Sequence, residues 1–66
     1  MREPKKTFEE TPEILALQAQ IKAIYRDDSI SLEDGDAQID AINTELEALG
    51  VDYAHLNISK TVYKNN

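Results

Sequence analysis

Cysteine is absent from the 66 residues, which removes a disulfide framework and a thiolate metal site together, and nothing in the chain calls for an oxidising compartment. Tryptophan is also missing, leaving Phe8, Tyr25, Tyr53 and Tyr63 as the aromatic side chains. Two glycines are too few for a loop that cradles phosphate. The one histidine, His55, has no HxxxH companion and reads as a packing or surface residue rather than a ligand. Ser29, Ser31 and Ser59 have no base that the sequence places beside them. These absences argue against an enzyme and call for no cofactor and no metal.

Long apolar runs are lacking too. Nothing approaches the roughly 20 residues of a membrane span, and MREPKKTFEETPE at the start carries charge but no apolar stretch of the kind a signal peptide needs. The expectation is a cytoplasmic protein without a membrane partner, and a chain opening on Met1 reads as a complete small reading frame. The Asn57-Ile58-Ser59 sequon is then accidental. The stretch DDSISLEDGD invites a calcium reading that its spacing rejects. Placing Gly35 at the sixth position of an EF-hand loop puts Ile30, Leu32 and Ala41 where oxygen ligands belong.

The net charge is −6 and unevenly placed: residues 1–26 sum to +1, residues 53–66 to +2, and residues 27–52 hold nine acids and no base. A field of that sign argues against direct binding to nucleic acid or anionic lipid through the middle of the chain.

Thr11, Pro12 and Glu13 form a helix-start signal, since a hydroxyl caps free amides, proline fits the first turn and an early acid suits the dipole. Ile14, Leu17, Ile21 and Ile24 then recur at three and four residues, predicting a helix over about 12–27. Ser31 followed by Asp34 resembles a capping box. The stripe Leu32, Gly35, Ile39, Ile42, Leu46 and Leu49 predicts a second helix over about 32–49, stopped by a left-handed Gly50 with Val51 folding back. Gly35 on the inner stripe costs roughly 1 kcal/mol relative to Ala, so either the first turn frays or a neighbouring side chain needs the space.

The fold expected is therefore all-α: an antiparallel helical hairpin with a short C-terminal element. Residues 1–10 read as a flexible arm anchored by Phe8, 11–58 as the hairpin domain and 59–66 as a tail. Within 51–66, Asp52 can cap a short helix through Tyr53 and Leu56, whereas ISKTVY can extend; neither period fits well. Two short helices make a marginal core, which points to a homodimer forming a helical bundle. Ala16, Ala19 and Ala23 on the first helix and Ala37, Ala41 and Ala48 on the second would allow close approach of two copies, or simply fill exposed positions as good helix formers.

Glu33, Asp36, Asp40 and Glu47 share one flank of the second helix. A face built only for solubility mixes signs at three and four residue spacings, and this one does not. Lys22 and Arg26 are placed to reach Glu33 or Asp36 across the seam, an expectation that leaves Asp40, Glu45, Glu47 and Asp52 to a partner with a basic surface. Tyr25, Tyr53 and Tyr63 are candidate aromatic contacts, or caps on the ends of the core. The leading expectation is a small non-enzymatic protein–protein interaction module, a regulator or inhibitor of the size encoded by phages and mobile elements. The alternatives are an acidic mimic that blocks a DNA- or RNA-binding protein and a structural assembly subunit.

Overall fold

Helix α1 runs Pro12–Arg26 and helix α2 runs Leu32–Ala48 in the computed structural model, which describes residues 8–65. Both start on the caps read from the sequence: Ile14 N donates to Thr11 Oγ1 at 3.3 Å and Asp34 N donates to Ser31 Oγ at 3.1 Å. Each bond satisfies an amide that the helix itself leaves open. At its far end α2 closes with Gly50 at φ 99°, while Gly50 N reaches Glu47 O at 3.0 Å and Val51 N reaches Leu46 O at 3.0 Å. That pair of bonds needs a left-handed residue at Gly50 and turns Val51 back onto Leu46; both side chains are buried.

Between the helices Asp27 holds the turn. Its carboxylate accepts from Ser29 N at 2.9 Å and from Ser29 Oγ at 2.5 Å, a local turn that short polar side chains favour. Ile14, Ile21, Ile24 and Tyr25 of α1 meet Ile39 and Leu46 of α2, with Val51, to make the core, and Phe8, Leu17, Ile30, Ile42 and Leu56 pack around it. The antiparallel hairpin expected from the two stripes is the arrangement found, with bounds one residue shorter at each C-terminal end. Leu32 and Leu49, the outer members of the α2 stripe, are exposed at 41% and 40%.

The chain after Val51 turns through a 3₁₀ turn at Tyr53–His55, crosses the hairpin and ends in helix α3, Lys60–Asn65. ISKTVY therefore extends only as far as Ser59 and is helical from Lys60. Helix α3 packs on both α1 and α2, and its first residue is the most unexpected member of the core. Lys60 is 1% exposed. Its ammonium donates to Asp27 O at 2.6 Å and Ile30 O at 2.8 Å, in the turn after α1, where Asp27 O also accepts from Ile30 N at 3.2 Å. A buried ammonium is tolerable only when so bonded. Its stem lies across Gly35, where a Cβ would stand 2.5 Å from Lys60 Cδ and 3.4 Å from Ile24 Cγ2. The glycine on the inner stripe thus makes room for a neighbour; its helical turn is intact.

The arm expected over residues 1–10 lies, for residues 1–7, outside the described residues. Phe8 packs against the core and meets the His55 ring edge-on, with centroids 5.4 Å apart. Nε2 of that histidine is buried without a hydrogen-bond partner among the described residues.

Candidate functional site

Residues 56–59 lie over the seam between α1 and α2 and are held from both sides by side chains. On the α2 side, Asn43 Nδ2 donates to Asn57 O at 2.8 Å, and Asn43 Oδ1 accepts from Asn57 N at 3.1 Å. One amide side chain thus satisfies both backbone groups of a residue that belongs to no helix or strand, as burial requires. On the α1 side, Tyr25 Oη donates to Ile58 O at 2.6 Å, and its ring stacks on Tyr63 with centroids 4.1 Å apart and planes 12° from parallel. Burial pushes the Tyr25 hydroxyl above its ordinary pKa, the Tyr63 hydroxyl beside it acts the same way, and the bond to Ile58 opposes both.

This crossing segment leaves a cleft on either side. The larger, about 500 Å³, lies against α2 and is lined by Asp40, Asn43, Thr44 and Glu47 from the helix and by Tyr53 and Ile58 from the segment opposite. Asp40, Asn43 and Glu47 follow one another at three and four residues and so share a helix stripe. Asp40 and Glu47 are both exposed, and among the described residues neither is in an ion pair. Tyr53 is 88% exposed. The smaller cleft, about 230 Å³, lies against α1 and is lined by Lys22, Tyr25, Arg26, Asn57 and Tyr63. One side of the segment is acidic, the other basic, and Asn57 borders both.

The four acids proposed for one flank do not behave alike. Asp36 is turned inward: its carboxylate accepts from Thr61 N at 2.9 Å and from Thr61 Oγ1 at 2.6 Å, and those bonds hold it below the ordinary carboxylate pKa. It is the tertiary cap of α3. Glu33 is exposed near the start of α2 and does not line the acidic cleft. The pairing expected of Lys22 and Arg26 with Glu33 or Asp36 does not form, because Thr61 takes Asp36 and the two bases border the Tyr25–Tyr63 stack. The ion pair between described residues is instead Lys64 with Asp28 at 3.5 Å, an exposed contact of small energetic weight. Asp27 is also held below its usual pKa, by the hydroxyl and then the amide of Ser29.

All six alanines proposed for self-association are exposed. Of the tyrosines, Tyr25 is buried, Tyr63 is 45% exposed in the basic cleft, and Tyr53 stands over the acidic one. Among the described residues no three His, Asp or Glu side chains come together as a metal site, and no helix is long and apolar enough to cross a membrane. Sequence reasoning missed Asn43, Asn57, Ile58 and Lys60. For Lys60 one signal was present, the glycine on the apolar stripe of α2; for Asn43 and Asn57 there was none, because their pairing joins residues 14 apart through side chain and backbone. Set against family models, curated proteins and solved structures, the chain matches none of them.

Proposed function

We propose that this protein is a non-enzymatic interaction module that takes a basic segment of another protein into the cleft between α2 and residues 53–58. The observation that carries the reading is the composition of that cleft: Asp40 and Glu47 on one wall, without ion-pair partners among the described residues, and Tyr53 on the other, 88% exposed. Two carboxylates seven residues apart stand about 10 Å from each other along a helix, which suits lysine or arginine side chains on an extended peptide. A tyrosine ring opposite gives such a cation an apolar and quadrupolar face. Holding or inhibiting that partner is the use this reading assigns to the cleft.

Mimicry of nucleic acid is the weaker reading. With Asp36 committed to Thr61, the row of carboxylates on α2 is interrupted where a phosphate-like spacing would need it. The test compares capture from native lysate by the wild type and by Asp40→Lys/Glu47→Lys, with nuclease present. The module reading expects a partner retained at low salt and lost to the double variant while helix content is unchanged. A partner held equally by both proteins would exclude this cleft.

A further inference from the structure

The two clefts carry opposite charge, lie on one face and flank one ridge. Tyr25 and Arg26 stand three and four residues after Lys22 along α1, on the side that Tyr25 turns toward Ile58. Asp40, Asn43 and Glu47 recur at three and four residues along α2, on the stripe that Asn43 turns toward Asn57. Between them Ile58 is exposed at 46% and Asn57 borders both clefts. Leu15, two turns before Lys22 on the same stripe of α1, is exposed at 47%.

A surface that is basic on one side of a ridge and acidic on the other is its own complement under a two-fold rotation about the ridge. The rotation brings the basic side of each copy onto the acidic side of the other. We propose that this face pairs two copies of the chain, Lys22 and Arg26 of each copy engaging Asp40 and Glu47 of the other across a centre made by the two Ile58 side chains.

Three features support a second copy as the occupant. Among the described residues neither basic residue has an acidic partner, nor has Asp40 or Glu47 a basic one. A standard interface takes roughly 800 Å² from each partner, about one sixth of the 4989 Å² that the chain exposes, and this face spans three turns of α1 and two of α2. A domain of this size also buries too little apolar surface to be firmly stable by itself. The pairing uses the acidic cleft, so a second copy and a basic partner exclude one another there. The pairing is independent of the partner reading, and its test involves no other protein.

Mass is measured by light scattering and sedimentation equilibrium on the full chain, with two charge-reversal variants, Lys22→Glu/Arg26→Glu and Asp40→Lys/Glu47→Lys. At about 0.05 M salt the wild type is expected to move from 7.5 kDa to twice that mass as its concentration rises. At about 0.5 M salt its dissociation constant should rise tenfold or more, because the screening length shrinks to roughly 4 Å. Each variant alone presents like charge to like and should stay monomeric with helicity retained. Mixed one to one, the variants restore both sets of complementary contacts and should form a heterodimer. A wild type that remains monomeric overturns the proposal, as does a mixture that fails to pair. A dimer untouched by either variant and broken by Ala41→Glu also overturns it, moving the contact to the alanine faces.

Discussion

The hairpin of α1 and α2 and the segment from Val51 to Asn65 are held by different kinds of interaction. In the hairpin the work is local and repetitive: apolar residues every three or four positions, a hydroxyl cap three residues from the amide it serves, a glycine stop one turn from the carbonyls it satisfies. The C-terminal segment has two turns of its own helix at most and no apolar period. It is fixed by four polar side chains that reach far along the chain. Asn43 and Asn57 are 14 residues apart, Asp36 and Thr61 are 25, and Tyr25 reaches Ile58, as Lys60 reaches Asp27, across 33. Apolar stripes set how the helices meet, and single hydrogen bonds set where the segment between them lies. Because both clefts are walls of that segment, the candidate binding face depends on the polar bonds more than on the core.

The contrast can be broken at Lys60 first. Lys60→Ala removes a fully buried stem, leaves the Ile30 carbonyl without a donor and leaves the Asp27 carbonyl with the 3.2 Å bond from Ile30 N alone, so it should cost about 2–4 kcal/mol in urea unfolding. Lys60→Met keeps the stem and loses only the bonds, so it should cost about half as much. Equal losses in the two variants would make Lys60 a polar clamp with no packing role. Next comes Asn43→Ala, which orphans the amide and the carbonyl of Asn57 and should cost about 1–3 kcal/mol, with exchange of the Asn57 amide rising well before that of Ile39. Ser31→Ala removes a local cap instead, at a cost of about 1 kcal/mol, and should leave the Asn57 amide as protected as before relative to Ile39.

The smallest effect should come from acid. Asp36 is lowered from its ordinary pKa of 3.8 by Thr61. The stabilisation is therefore fully present above that value and is lost as pH falls through the depressed folded-state value. Asp27, lowered by Ser29, follows the same sign at the interhelical turn. A pH titration followed by NMR should find the Thr61 amide shifting with an apparent pKa below 3.8, and Asp36→Asn should abolish that shift. A Thr61 amide that titrates at or above 3.8 would place the carboxylate elsewhere.

The difference between the two regions also explains what could be read from the sequence. Thr11, Ser31 and Gly50 act within a turn of themselves, and the stripes from Ile14 to Leu46 act by their own period, so the hairpin and its ends were legible. The segment after Val51 was not, because a lysine reads as a solvated charge and only the space above Gly35 turns it inward. The acidic flank was half legible. Periodicity placed Asp36, Asp40 and Glu47 on one side of α2, but nothing in their spacing distinguishes the aspartate that caps a distant helix from the acids that line a cleft. The pairing expected of Lys22 and Arg26 with Asp36 fails for the same reason: Thr61 takes that carboxylate.

Native-state hydrogen exchange on the wild type tests most directly the claim that the C-terminal segment is an integral wall of the fold. If the four polar contacts lock it to the hairpin, the Asn57 and Thr61 amides should open with the same free energy as those of Ile24 and Ile39, in one cooperative unit. Exchange of Asn57 and Thr61 far faster than that of the helix core would contradict the account, making the segment a loosely attached tail and leaving neither cleft with a fixed wall.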